Sequence, residues 1–155
     1  MVARAMEAYA HELNKTAGEK DLWWTTGLLH DLDWEQYPEE HPNKAVHEIL
    51  PEKGYHPELI EAIKAHAPER TGKEPETELE RYLFACDELS GFMYAVSLMR
   101  PNGFSDMRVK SVTKKLKDKS FAESVSRDDI HKGADLIGRP LNDHISFLIG
   151  VFRDE

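Results

Sequence analysis

The sequence is short of most features that would take it out of the ordinary globular class. Its 155 residues hold one cysteine, Cys86, so an intramolecular disulfide is excluded and a reducing compartment is expected. No apolar run approaches the ~18 residues of a membrane helix. The first residues alternate charge with alanine and lack the apolar stretch of a secretory signal. No membrane partner and a cytoplasmic location follow as expectations. Bases are outnumbered by acids, 20 to 29, for a formal charge of −9. That argues against wrapping a nucleic-acid polymer, which needs a surface able to displace counterions. Period-two alternation, internal repeats, low-complexity tracts and an interdomain linker are also missing, which removes sheet proteins and solenoids. What remains is 40% hydrophobic, with six Phe, five Tyr and three Trp. One domain over residues 1–155 with a real core is expected.

The apolar residues recur with helical period. Val2, Ala5, Met6 and Tyr9 stripe a first helix over Met1–Leu13, which has no capping residue before it. Gly18 closes a connection, and Leu22–His30 forms the second helix. A third runs from about Asn43 to Lys53, with Pro42 suited to its first position and Gly54 ending it. His56-Pro57 opens a fourth, in which Leu59, Ile63 and His66 fall on one face. Residues 67–75 are polar and rich in Pro and Gly, and read as a surface loop. The longest helix spans about Glu76 to Met99, with Leu79, Leu83, Cys86, Ser90, Met93 and Val96 along its inner stripe. Arg100-Pro101-Asn102-Gly103 breaks the chain. Ser105 can cap a helix whose Val109, Val112 and Leu116 face a core, and whose lysines form the one basic stretch. Ser126-Arg127-Asp128-Asp129 resembles a capping box for a helix ended by Gly138. The last helix starts at Pro140 and buries Leu141, Ile145, Leu148 and Phe152. The expected class is all-α, a single-domain helical bundle.

Chemistry concentrates at Gly27-Leu28-Leu29-His30-Asp31-Leu32-Asp33. Trp23, Gly27 and His30 share one helical face. Gly27 costs the helix roughly 1 kcal/mol against alanine unless it admits a close neighbour. Asp87, beside the inner stripe of the long helix, is expected to be partly buried and so protonated, paired or metal-bound. Two readings fit: core histidines and acids that hydrogen-bond one another, or a metal site. Nitrogen and oxygen donors without thiolates favour Mn²⁺, Fe²⁺ or Mg²⁺ over structural zinc. His30 and Asp31, being adjacent, point about 100° apart on a regular helix and can share an ion only at a helix end. Cys86 reads as core; His47, His56, His131 and His144 read as surface or packing residues.

Gly27-Leu28-Leu29-His30-Asp31, the later His41 and His66, and Ala85-Cys86-Asp87-Glu88-Leu89 resemble the HD superfamily of metal-dependent phosphohydrolases. Asp33-Trp34-Glu35-Gln36-Tyr37-Pro38 and the basic stretch from Lys110-Ser111-Val112 to Phe121-Ala122 are similar to motifs of a small branch of it. The resemblance implies an HD-like helical bundle with a divalent metal held by His30, Asp31 and Asp87. It implies a second metal or substrate phosphate at His41 and His66, with Asp31, His66 and Asp87 catalytic. Lys114, Lys115 and Arg127 are possible phosphate contacts. The implied activity is hydrolysis of a small phosphate ester or nucleotide by metal-activated water; the alternative is a binding or regulatory protein on the same scaffold. The family's first-helix histidine falls, in register, before Met1. His11 lies roughly 20 Å further along the helix and cannot replace it, so the expectation is either a shortened or mis-started chain or a form that binds metal with three protein ligands.

Overall fold

The computed structural model describes residues 1–153, and every regular element among them is helical. No helix among the described residues is long and apolar enough to cross a membrane. The chain forms two compact units, one over 2–84 and one from Ala85 onward.

In the unit 2–84, α1 (Val2–Glu12) and α2 (Ala17–Leu29) lie against each other. Val2, Ala5, Met6 and Tyr9 are buried on α1, and Trp23, Thr26 and Gly27 on α2. The contact is backbone to backbone: a Cβ at Gly27 would sit 2.8 Å from the Ala3 Cα and 2.9 Å from its nitrogen. Glycine's propensity cost is therefore offset by the close approach it permits. Tyr9 and Trp23 both meet Tyr82, at ring separations of 4.8 and 5.2 Å.

α2 begins earlier than the apolar pattern predicts, at Ala17 and not Leu22. Thr16 Oγ1 accepts from the Glu19 N–H, while Glu19 Oε2 accepts from the Thr16 N–H at 2.8 Å. This is a capping box, legible in Thr16-Ala17-Gly18-Glu19 but hidden by the polarity of that first turn. Gly18 is thus inside the helix and closes nothing.

The segment read as one regular helix over 43–53 is a π-helical stretch, Ala45–Ile49, running into the short α3 (Leu50–Glu52). Leu50 donates to the carbonyl of Ala45, five residues back. Pro51 follows, with no N–H and a ring that crowds the carbonyl four residues earlier; the widened turn relieves both demands. His56 caps α4 (Pro57–Ala65) by accepting from the Glu58 N–H at 3.3 Å. Within the expected loop 67–75 the chain makes one short helix, α5 (Pro68–Thr71), closed by Gly72 in the left-handed region. α6 (Glu78–Leu98) contributes its first turns to this unit. The buried Glu80 carboxylate accepts from the N–H groups of Glu76 and Thr77, at 2.7 and 2.9 Å, where the helix begins.

In the unit from Ala85, α9 (Leu141–Phe152) lies against α7 (Val109–Leu116) and α8 (Arg127–Leu136), and α6 meets α8 and α9 at Ala85. Ala85 is a point of close approach. A Cβ at Gly133 would lie 2.7 Å from the Ala85 Cα, and His144 Nε2 donates to the Ala85 carbonyl at 2.9 Å. Cys86 is fully buried, and burial followed by the Asp87 charge pushes its thiol well above the ordinary range, as expected of a packing residue. Ser126 caps α8 through the Asp129 N–H. Ser105 is exposed and does not cap α7; its start at Val109 is reached through the extended Arg108, whose N–H donates to Ser111 Oγ at 3.3 Å. Arg100 holds the intervening turn through the Asp106 carboxylate and carbonyl.

Two measurements test this packing. Gly27→Ala is expected to destabilise by about 1–2 kcal/mol in urea unfolding, since overpacking against backbone outweighs the gain in helix propensity. Gly18→Ala, with nothing within 4 Å of the new Cβ, is expected to stabilise by about 0.5–1 kcal/mol. The second concerns His144, which burial lowers to about 4. Its folded value lies below the unfolded one, so its contribution is complete above the ordinary histidine range and is lost as pH falls towards 4. Between pH 7 and 4.5 the loss should reach about 2–3 kcal/mol. His144→Gln, which keeps a donor for the Ala85 carbonyl, should flatten that part of the stability–pH curve.

Candidate metal centre

α2 stops at Leu29, and the next residues turn sharply. His30, at the C-cap, is buried and donates from Nδ1 to the carbonyl of Gly27 at 2.9 Å. Its Nε2 is left facing Asp31 Oδ2 at 3.1 Å. Beyond it the turn closes on itself: Trp34 N–H donates to the Asp31 carbonyl at 3.0 Å and Tyr37 N–H to that of Asp33 at 2.8 Å. His41 follows, joined by a cis peptide to Pro42. His66 ends α4 as its C-cap, buried, and donates from Nδ1 to the Ile63 carbonyl at 2.5 Å.

Asp33 determines how His41 presents itself. Its carboxylate is 1% exposed, with Oδ1 accepting from His41 Nδ1 at 2.7 Å and Oδ2 from the Ala45 N–H at 2.7 Å. A buried carboxylate without such donors would cost several kcal/mol. Because a carboxylate or carbonyl oxygen can only accept, the Nδ1 atoms of His30, His41 and His66 each carry hydrogen. In the neutral rings each Nε2 therefore bears a lone pair.

Those lone pairs converge. His41 Nε2 and His66 Nε2 are 3.2 Å apart, and Asp31 Oδ1 lies 3.4 Å from the first and 3.9 Å from the second. Two lone pairs and an anionic oxygen at such distances repel unless a proton or cation lies among them. Donors about 2.0–2.2 Å from one ion are separated by about 3.0–4.2 Å, and all three separations fall in that span. Two imidazoles and a carboxylate are a donor set suited to a divalent first-row metal. The Nδ1 partners supply the outer contacts that hold metal-binding histidines in one tautomer. Asp31 presents Oδ2 to His30 and Oδ1 to the His41–His66 pair, with its side chain half exposed.

The structure thus brings together Asp31, His41 and His66, with His30 against the other Asp31 oxygen. Asp87 stands half-buried on α6 in the unit from Ala85. In that unit Lys115 pairs with Asp118 at 3.6 Å and lies over the Phe121 ring. Lys114 is exposed beside it, and both line a cavity of about 470 Å³ with Arg100, Arg108 and Lys110. Arg127, read as a possible phosphate contact, spends its guanidinium on the carbonyls of Asp118, Phe121, Ala122 and Val125; it holds the loop before α8 together. His47, His56 and His131 are exposed, and His144 is buried packing. Asp33 is the site residue that periodicity misses. Its signal was its place in Asp33-Trp34-Glu35-Gln36-Tyr37-Pro38, but nothing in the spacing says that a loop acid is buried.

Asp33→Asn tests the arrangement without any ligand. An amide cannot accept from both donors with both of its atoms, so one buried N–H loses its partner. The expected result is a loss of about 1–3 kcal/mol in stability, with a shift of the His41 ring nitrogens in ¹⁵N-resolved spectra towards the other tautomer.

Comparison with known proteins gives one match. The HD domain family matches residues 1–91, which takes in the end of α2, His41, His66 and Asp87. No curated protein and no solved structure matches the chain. With more than half its length matched, and a His-Asp pair closing the second helix, the chain belongs to the HD domain family.

Proposed function

We propose that the protein is a metal-dependent phosphohydrolase acting on a small phosphate monoester or diester. The observation that carries the reading is the pair of Nε2 atoms of His41 and His66, 3.2 Å apart with both Nδ1 atoms committed elsewhere, beside Asp31. Such a cluster fits a divalent cation better than it fits a hydrophobic core. In this reading Asp31, His41 and His66 would hold an ion, with His30 beside the other Asp31 oxygen. Asp87 is the further ligand expected from the resemblance to the family, and Mn²⁺, Fe²⁺ or Mg²⁺ would suit the donors.

A bound metal of this class supplies a water of lowered pKa and polarises a phosphoryl oxygen. The remaining work falls to the chain. Asp31, half exposed, faces incoming substrate and would help to hold the ion through the oxygen beside His41 and His66. His41 and His66, with Nδ1 committed to Asp33 and to the Ile63 carbonyl, would hold the ion through Nε2 and so fix where the phosphoryl group sits. Asp33 keeps His41 in the tautomer that leaves Nε2 pointing inward.

Calorimetric titration of Mn²⁺, paired with a screen of phosphate esters, tests the proposal. Wild type should bind Mn²⁺ and turn over at least one ester. His41→Ala and His66→Ala should each weaken Mn²⁺ binding about tenfold or more, and Asp31→Asn should lower kcat/KM by about 10² or more. Unchanged Mn²⁺ affinity in both histidine variants would overturn it.

A further inference from the structure

The unit from Ala85 carries an apolar surface that runs into a cationic one. On the last turns of α6, Leu98 is 69% exposed, Met99 62% and Tyr94 51%. Tyr94 and Leu98 stand one turn apart on one face, with Met99 next to Leu98. Met99 and Val96 are also the apolar lining of the cavity of about 470 Å³, where Arg108, Lys110 and Lys114 supply the charge. We propose that this surface docks an acidic, amphipathic helical segment of a partner protein. Its aliphatic side chains rest on Leu98 and Met99, and its carboxylates face α7. This docking role is independent of the phosphohydrolase reading.

Local structure accounts for only part of the charge. Residues 100–119 hold seven bases and two acids in a chain of net charge −9. Both acids are taken: Asp106 pairs with Arg100 at 2.9 Å and Asp118 with Lys115 at 3.6 Å. Among the described residues, Arg108, Lys110, Lys114, Lys117 and Lys119 have no carboxylate partner, and no carboxylate lines the cavity. The helix dipole favours cations at the end of α7, which accounts for Lys114 and Lys115. It disfavours them at the start, where Arg108 and Lys110 stand. Lys110, Lys114 and Lys117 fall at i, i+4 and i+7 and are all exposed. They form a row about 10 Å long, which carboxylates at the same spacing on a second helix match.

The combination selects the occupant. Leu98 and Met99 are aliphatic, and methionine adapts to the side chains it meets. A helix laid into a groove uses such anchors, with charge at the rim. A nucleic-acid polymer or an anionic bilayer extends past the patch and meets the chain's surplus of acids, which repels it. A free phosphate gains nothing from Leu98 or Met99. Burial of those two side chains supplies affinity, while the lysine row sets orientation and speeds encounter.

The test uses the full chain and a fluorescein-labelled helical peptide of Leu, Ala and Glu, about 18 residues long. Its leucines share one face, and its glutamates stand at i, i+4 and i+7 beside them. Anisotropy should show saturable binding with a Kd of about 10–100 μM. A peptide of the same composition with its leucines spread around the helix should bind about tenfold more weakly or not at all. Arg108→Glu combined with Lys110→Glu should weaken binding about tenfold or more. That pair should not lower Tm, because the dipole of α7 favours acids at its start. Leu98→Ser combined with Met99→Ser should weaken binding by a similar factor. No binding, equal binding of the two peptides, or unchanged affinity in either double variant would overturn the docking role. Polyuridylate and phosphatidylserine vesicles are titrated alongside, and tighter binding of either than of the amphipathic peptide would overturn it in favour of a polyanion. A dimer in light scattering that dissociates in Leu98→Ser/Met99→Ser would overturn it in favour of a second copy of this chain.

Discussion

A buried carboxylate with two obligations holds the candidate centre together. Asp33 must find donors for both oxygens because its side chain has no access to water, and it finds one on each side of the turn. The His41 ring supplies Nδ1–H and the first residue of the π-helical stretch supplies its backbone N–H. Each partner is constrained in return. His41 is held in one tautomer and aims Nε2 at His66 and Asp31. The chain from Pro38 to Ala45 is anchored at its far end, where Ile49 and Lys53 line a cavity with Asp31 and Trp34. One desolvated acid therefore links the metal-binding geometry to the wall of the adjoining cavity.

The second constraint is steric. α1 and α2 approach until a single methyl group would not fit between Gly27 and the Ala3 backbone. Gly27 lies one turn before His30, and its carbonyl is the acceptor for His30 Nδ1. The residue that permits the close approach thus also orients the first histidine. The price in helix propensity is small beside what the position does, and an alanine would disturb packing and ligand orientation together.

The unit from Ala85 uses similar means for other ends. Ala85 offers its carbonyl to His144 and its surface to Gly133, so a small residue is required where three helices meet. Arg127 gathers four carbonyls of an irregular loop that has few N–H partners of its own. A long cation with five donors can satisfy such a loop where no helix or sheet ladder does. Its guanidinium, read in sequence as a possible phosphate contact, is committed to these carbonyls.

Much of this was legible in one dimension. Helical period placed Met6, Tyr9, Leu59, Ile63, Leu83 and Ile145 inside, and they are buried, because burial of an amphipathic stripe follows from spacing alone. The all-α class, the ends set by Gly54 and Gly138, the cap at Ser126 and the packing roles of Cys86 and His144 follow from the same local rules. The family was readable as a resemblance, carried by Gly27 to Asp31, His41, His66 and Ala85 to Leu89 together and not by the His-Asp pair alone. What the sequence could not supply was anything decided between distant residues. The polar capping turn at Thr16 and the π-helical stretch before Pro51 depend on hydrogen bonds that a hydropathy pattern does not register. The burial of Asp33, the 3.2 Å approach of His41 to His66 across 25 residues, and the exposed Trp34 indole beside His41 exist only once the turn is folded. Ligand type is written in the chain; which lone pairs face one another is a property of the tertiary structure, because buried donors and acceptors must all be satisfied at once.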